Sequence, residues 1–309
     1  MSRSRNKILF VSCLLMSAMF CRAQDNPLYN QYQYNGLAIN PAFAGSREVM
    51  SMAVLYRMQW FNMDGAPNTF TFSGDFPLRN PQTAIGLLAV NDKVGIYRKT
   101  GVYGVYAYRI KMGKGKLSLG LQGGVDQIRE DLSNMTTLQP NDPMFTNAAL
   151  HRTWLPNVGV GAFYYSSKYF AGLSIPKLLH YVPTKADQYK GELSLCDVFL
   201  YGGLILSVSN NIKLKPSALL RYGIDKTVLA DINFNVVFLP EDRVEVGVFY
   251  RSAKVWGAMA EIRVNPQICI GYAYDRGLGI ANINSGSHEI LLRYELRYRV
   301  KAVNPLYLK

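Results

Sequence analysis

The feature that most constrains this chain is an alternation of apolar and polar residues along segments of strand length. Between Leu229 and Phe238 the even-numbered positions are apolar, whereas Asp231, Asn233 and Asn235 occupy odd-numbered positions. The same alternation is found in four further segments, 69–76, 243–251, 256–264 and 289–298. A period of two is typical of β-strands, because successive side chains point to opposite faces. The sequence therefore predicts strands with one apolar face and one polar face.

The length of these segments separates a membrane barrel from a soluble sandwich. They extend over about 9 to 13 residues, which a tilted strand needs to cross a bilayer, whereas ordinary strands average about 5 or 6. About 14 such segments fit between Val49 and Tyr298, and no uncharged apolar stretch of 18 residues follows residue 23. We therefore predict an all-β protein, a transmembrane antiparallel outer-membrane β-barrel of about 14 strands. The alternative is a soluble fold whose core is filled by the aromatic rings.

The connections between the segments alternate in length. Short turns are predicted near 112–115, 166–168, 209–211, 240–242 and 265–266, and long polar connections at 130–156, 176–192 and 275–286. Short turns at one end and longer loops at the other are typical of outer-membrane barrels, where the turns are periplasmic and the loops extracellular.

A barrel also requires its first and last strands to pair, because an open sheet edge in hydrocarbon leaves backbone groups without partners. We expect the segment 287–298 to pair with 49–61. Tyr56, Trp60, Tyr250 and Trp256 lie near the ends of predicted strands, as expected for aromatic residues at the membrane interface.

The N-terminus has the pattern of a secretory signal peptide. Arg3, Arg5 and Lys7 precede a 13-residue apolar stretch from 8 to 20, and Ala23 ends a cleavage site with small residues. The stretch is shorter than a membrane-spanning helix, although an uncleaved anchor is the alternative. The predicted divisions are a signal peptide (1–23), a periplasmic or plug-like N-terminal segment (24–48), the barrel (49–298) and a basic C-terminal tail (299–309).

The sequence contains no recognisable catalytic or metal-binding motif. Its three histidines are far apart, and after cleavage only Cys196 and Cys269 would remain, without metal-ligand spacing. A disulfide between them stays open, with two unpaired thiols as the alternative. Ser287, His288 and Glu289 are the best local hydrolase candidates, but neighbouring strand residues point to alternating faces. We expect no cofactor and no catalytic residues.

A formal net charge of +13 raises the question of nucleic acid binding. The basic residues are spread over strands, turns and loops without a basic helix or an aromatic platform, so we expect no nucleic acid partner. Positive loops instead suit outer-membrane lipid and lipopolysaccharide, and basic turns suit a periplasmic partner.

Several short motifs resemble a known family. The positions that carry this resemblance are Gln31, Tyr32, Asn40, Pro41, Gly45, Tyr56, Arg57, Gln59, Trp60, Asp75, Pro77, Gly271, Tyr272, Tyr274, Asp275, His288 and Glu289. They resemble the PorP/SprF family of type IX secretion system membrane proteins over about residues 24 to 298, and the basic tail departs from the family pattern.

The resemblance implies an outer-membrane component of a machine that exports proteins and is associated with gliding motility. Implied partners are the type IX secretion ring and peptidoglycan-binding periplasmic proteins, and the C-terminal targeting domains of exported proteins. The resemblance does not decide between cargo binding and anchoring, and it supplies no catalytic residues. The alternative function is an outer-membrane diffusion channel or a hydrophobic-solute transporter.

Two hypotheses about regions follow from the residues. The N-terminal segment carries many Asn, Gln and Tyr side chains and is interpreted as a lumen plug or a periplasmic segment, with a loose leader as the alternative. The long connections are the expected contact sites for cargo, with simple surface loops as the alternative.

Overall fold

The computed structural model describes residues 28–130, 152–185, 188–193, 197–223, 226–238, 243–277 and 286–296. Two 3-10 helices lie before the first strand, η1 (Gly36–Ala38) and η2 (Pro41–Phe43). The strands are β1 (Met50–Met58), β2 (Asn68–Pro77), β3 (Thr83–Val94), β4 (Tyr97–Met112), β5 (Gly115–Glu130), β6 (Arg152–Tyr165), β7 (Tyr169–Ile175), β8 (Leu179–Lys185), β9 (Gln188–Leu193), β10 (Val198–Leu204), β11 (Leu206–Ser209), β12 (Ile212–Tyr222), β13 (Val228–Phe238), β14 (Val244–Arg251), β15 (Val255–Arg263), β16 (Ile268–Gly277) and β17 (Ser287–Leu296).

The strands close into an antiparallel barrel. Consecutive strands pair with one another from β1 to β7 and from β11 to β17, and β10 pairs with both β7 and β12. β1 pairs with β17 from Met50 opposite Leu296 to Met58 opposite His288. β10 and β11 are two segments of one strand interrupted at Ile205, since both pair with β12. The barrel therefore has 14 strands, which confirms the predicted fold and its closure between the first and last strands. β8 and β9 form a separate hairpin in the connection between β7 and β10.

The two ends of the barrel differ in their connections. One end, which we call the turn end, carries the start of β1, the end of β17 and the connections 78–82, 113–114, 166–168, 210–211, 239–243 and 264–267. The opposite end, the loop end, carries the connections 59–67, 95–96, 131–151, 176–197, 223–227, 252–254 and 278–286. All three predicted long connections are at the loop end and all five predicted short turns are at the turn end. Strands begin and end within a few residues of the predicted bounds, and β6 begins at Arg152, inside the predicted long connection.

The structure confirms which face of the strands is apolar and which is polar. On β13 the side chains of Asp231, Asn233 and Asn235 are buried inside the barrel, whereas Ile232 and Phe234 are exposed on the outside. On β2, Thr71 and Ser73 are buried, and Phe70 and Phe76 are exposed. Large exposed apolar side chains thus form the outer surface, which the apolar interior of a bilayer covers. Within the described residues, no helix combines the length and the apolar character needed to cross a membrane.

Aromatic side chains lie near both ends of the outer surface. The four predicted residues are toward the loop end, where the rings of Tyr250 and Trp256 lie 4.6 Å apart. At the turn end, Tyr164 and Tyr169 stack with ring centroids 5.5 Å apart. The sequence analysis did not name this second pair, whose partners lie on β6 and β7 on either side of the 166–168 turn. Aromatic residues at both ends match the two interfaces of a bilayer.

The apolar outer face gives a prediction within one strand. Phe234 lies in the middle of β13 and Phe238 at its turn end, and the two are about equally exposed, at 44% and 43%. Replacing Phe234 by Arg is expected to destabilise the folded barrel by about 2–4 kcal/mol, whereas Phe238→Arg is expected to cost about 0–1 kcal/mol, because the penalty falls toward the interface. Reversible urea unfolding in phospholipid vesicles measures both. Equal costs would contradict the assigned depth of β13.

Candidate functional site: the lumen and its N-terminal segment

The inside of the barrel is occupied by the chain's own N-terminal residues. We call residues 28–49 the lumen segment. Nearly all of its side chains are buried, including polar ones such as Gln31, Asn35 and Asn40. The wall around it divides into an aromatic part and a charged part, and the lumen segment contacts both.

The start of the lumen segment is held by a cluster of charges from β1, β16 and β17. The carboxylate of Glu289 accepts hydrogen bonds from the backbone N–H groups of Asn30 at 3.0 Å and Gln31 at 2.8 Å. The Arg57 guanidinium lies 3.2 Å from Glu289 and 2.8 Å from Asp275. Asp275 also accepts the side-chain amide of Asn30 at 2.5 Å. Four of these five residues are motif positions and the fifth, Asn30, is the neighbour of one, and the barrel closure brings the two ends of the sequence together.

Glycine allows the segment to approach this wall. A Cβ atom added to Gly271 would lie 2.3 Å from Oε1 of Gln31, which is closer than nonbonded atoms approach. The Gln31 side-chain amide also donates to the backbone carbonyl of Glu289 at 3.1 Å. The motif glycine therefore makes room for the motif glutamine.

Two buried tyrosines occupy the charged half of the lumen. The Tyr32 hydroxyl accepts a hydrogen bond from the side-chain amide of Asn233 at 2.8 Å. The Tyr34 hydroxyl accepts one from the side-chain amide of Asn235 at 3.2 Å. Asn235 also donates to Glu245 at 2.7 Å. Burial raises the pKa of both phenols above the ordinary value for tyrosine, so the lumen segment brings no negative charge of its own here.

A pair of arginines fixes the backbone at Tyr34. Its carbonyl accepts hydrogen bonds from the guanidinium groups of Arg47 and Arg293. Arg293 is itself paired with Glu261 at 2.7 Å and with Glu295 at 3.0 Å, and it is only 1% exposed. These charges are satisfied by one another and by the lumen segment, which offsets the cost of removing them from water.

Other ion pairs join the strands of the charged wall directly. Arg251 lies 2.7 Å from Asp231, its partner in register on the neighbouring strand. Lys215 and Glu245, which lie on β12 and β14, are 2.7 Å apart. The sequence analysis did not find these pairs, although the first follows once the β13–β14 register is known.

The opposite side of the lumen is aromatic. Phe163 lies 5.4 Å from Tyr165 and 5.9 Å from Tyr201 between ring centroids, and the Phe43 ring of η2 packs on Phe163 at 5.2 Å. η2 begins at the motif proline, and Asn40 caps it by accepting the N–H of Ala42 at 2.8 Å. The Asn40 amide donates to the carbonyl of Ala162 at 3.0 Å. The motif Asn40-Pro41 therefore shapes a short turn against β6.

The wall glycines next to η2 serve the same purpose as Gly271. A Cβ atom at Gly120 would lie 2.1 Å from the backbone nitrogen of Ala42, and one at Gly161 would lie 2.0 Å from Oδ1 of Asn40. The sequence analysis assigned no role to Gly161. Its neighbours on the lumen segment, 121 residues earlier in the chain, could not be identified from local sequence.

The last turn of the lumen segment is fixed at Gly45. This residue has φ of +69°, a conformation that glycine adopts without strain. Its N–H donates to Asp75 at 2.7 Å, and its carbonyl accepts from the Arg109 guanidinium. Asp75, a motif residue, therefore positions the point at which the chain leaves the lumen and enters β1.

The remaining motif positions lie elsewhere. Tyr56, Tyr272, Tyr274 and His288 face outward, and His288 Nδ1 lies 2.7 Å from the Tyr272 hydroxyl. Gln59 and Trp60 begin the 59–67 connection at the loop end, and Pro77 ends β2 at the turn end.

The structure separates the three residues of the local hydrolase candidate. Ser287 and Glu289 are buried inside the barrel, whereas His288 between them is outside, so the three do not form a catalytic group. Among the described residues, no cluster of three His, Cys, Asp or Glu side chains is arranged to hold a metal ion. Cys269 is buried and forms no disulfide with any described residue, and Cys196, the other cysteine of the possible disulfide, lies outside the described residues.

The sequence comparison identifies the family. The profile of the type IX secretion system membrane protein PorP/SprF family matches residues 21–294. The chain belongs to this family. It is therefore a membrane component of the type IX secretion system, and its closed barrel with an apolar outer surface places it in the outer membrane. No curated protein matches the sequence.

Several solved barrels are similar in structure. They include Omp33 of Acinetobacter baumannii (9% identity, TM-score 0.43), KdgM porin (9%, 0.35) and a mutant of Rh. blastica porin (6%, 0.33). Each comparison covers 80% of this chain and 99% of the other.

The glycine contacts give a prediction about the lumen segment. Gly120→Ala is expected to displace η2, because the new methyl group meets backbone rather than a movable side chain, and overpacking of this kind costs about 1–3 kcal/mol. Hydrogen exchange of residues 36–46 should become faster in the variant. Gly123→Ala on the same strand is the control, because a Cβ atom there has no neighbour within 4 Å. Equal exchange in both variants would contradict the packing of η2 on β5.

Proposed function

We propose that this protein is a noncatalytic, closed component of the type IX secretion machinery, which supports export without conducting cargo through its own lumen. The observation that carries this proposal is the filling of the lumen by residues 28–49. The segment bonds to side chains of β1, β2, β13 and β17, and its η2 packs against β5 and β6. A cavity beside the segment, between Tyr29, Ala38 and Phe199, has a volume of about 50 Å³, which is far smaller than a folded protein domain.

The orientation of the barrel forms part of the proposal. We place the turn end in the periplasm and the loop end outside the cell, because short turns are periplasmic in barrels of this class. Residues 1–23, which lie outside the described residues, act as a cleaved signal peptide in this scheme. Residues 24–48 are then the plug, 49–298 the barrel and 299–309 a basic tail, of which residues 24–27 and 297–309 lie outside the described residues.

Each end has a proposed partner. At the loop end, the long connections engage C-terminal targeting domains of exported proteins and contact lipopolysaccharide; much of these connections lies outside the described residues. At the turn end, Arg79, Lys111, Lys114 and Lys168 are exposed basic residues. This charge suits acidic surfaces of the ring and peptidoglycan-binding proteins. A role in gliding motility would follow from the same link to the ring.

The plug gives a prediction about conductance. In planar bilayers the intact protein is expected to show no steady open pore, whereas a variant lacking residues 28–46 is expected to conduct, because the polar lumen then fills with water. The Gly123→Ala variant should behave as the intact protein does. A steady pore in the intact protein would instead support the alternative function, a diffusion channel.

The role in export is tested in cells. Deleting the gene is expected to remove specific proteins from the extracellular fraction, and crosslinking followed by affinity purification should recover ring subunits or exported proteins. Restoring the intact gene is the control. An unchanged set of extracellular proteins would contradict the proposed role, whatever the result of the conductance experiment.

A further inference from the structure

A large cavity lies at the turn end of the barrel, where the lumen segment leaves the lumen. Its volume is about 700 Å³, within the range of about 300–1,000 Å³ that is typical of small-molecule sites. Most of its lining is apolar, contributed by the junction of the lumen segment with β1, the end of β2 and the 78–82 turn. The apolar lining includes Met50, Phe76 and Leu78.

The cavity connects the lipid-facing surface with the turn end. Phe76 belongs to the outward face of β2 and is 39% exposed, and Leu78, at the first position of the turn, is 38% exposed. Arg109 and Lys116 approach from the inward faces of β4 and β5. An apolar ligand could therefore enter from the bilayer without crossing water.

The charged part of the lining consists of three basic residues, Arg79, Arg109 and Lys116, and one acidic residue, Glu48. Arg109 is committed to the Gly45 carbonyl, and Lys116 is paired with Glu48. Arg79 is exposed on the turn and forms no ion pair with any residue in the described ranges. The cavity thus combines an apolar interior with one uncommitted cation at its edge, and this combination is complementary to an amphiphile with an anionic headgroup.

We propose that this cavity binds an anionic phospholipid, with an acyl chain between Met50, Phe76 and Leu78 and the phosphate against Arg79. The choice of a phospholipid over lipopolysaccharide rests on the proposed orientation, which places the turn end at the periplasmic leaflet. The binding itself depends only on the membrane location, so it can be tested apart from secretion. A bound lipid here would fix the point where the lumen segment continues into β1.

The test uses the full chain reconstituted in phosphatidylcholine vesicles. A small fraction of phosphatidylglycerol carries a photoreactive group on its acyl chain, and labelled residues are identified by mass spectrometry. Labelling at 76–78 should exceed labelling at Phe238, an exposed apolar residue at the turn end of β13 and outside the cavity. Photoreactive phosphatidylcholine should not show this preference. Arg79→Gln is expected to reduce the excess by about fivefold, the factor expected when one basic residue near an anionic lipid is lost.

Two further variants control this experiment. Lys168→Gln removes an equal charge from another exposed turn at the same end, outside the cavity, and should leave the labelling unchanged. Leu78→Glu places a carboxylate at the cavity edge and should abolish the preference for phosphatidylglycerol. Heat-modifiable gel migration verifies that each variant is folded. Equal labelling by the two lipids, or equal loss in Arg79→Gln and Lys168→Gln, would overturn the proposal, and neither result would alter the conclusion from the secretion experiment.

Discussion

The structure depends on one requirement of the bilayer: backbone N–H and C=O groups in hydrocarbon must be bonded within the protein. Pairing of β1 with β17 meets this requirement by removing the sheet edges. Closure has a second consequence. It brings Arg57 near the beginning of the chain beside Asp275 and Glu289 near its end, and so creates the charged cluster that holds Asn30 and Gln31.

The closed barrel also reverses the distribution of apolar and charged side chains that is usual in soluble proteins. Apolar side chains cover the outer surface, and the buried interior contains charges such as Arg293 and Glu289, which are 1% and 0% exposed. Buried ions are costly unless they are paired and hydrogen-bonded. The lumen segment contributes to this pairing, because its backbone groups at Asn30, Gln31 and Tyr34 bind the charges that strand-to-strand contacts leave incompletely satisfied. The segment that fills the lumen therefore also supplies hydrogen-bond partners for the buried charges of the barrel wall.

This arrangement explains why the family motifs include residues with no apparent chemistry. Asn40 caps η2 and bonds to β6, Gly45 provides the turn into β1, and Gly271 leaves space for Gln31. Their roles are structural, and they concern the fit between the N-terminal segment and the barrel.

The sequence by itself determined the strands, their faces, the strand number and the unequal ends, because a period of two and the length of a bilayer crossing are local properties. It could also have given pairs in register on adjacent strands, such as Asp231 with Arg251. Only the tertiary structure decided where the lumen segment lies and which wall residues it meets. Contacts such as Asn40 with Gly161, or Lys215 with Glu245 across an intervening strand, depend on the curvature of the closed barrel. The alternation of apolar and polar residues along the chain does not specify that curvature, so the sequence pattern could not predict these contacts.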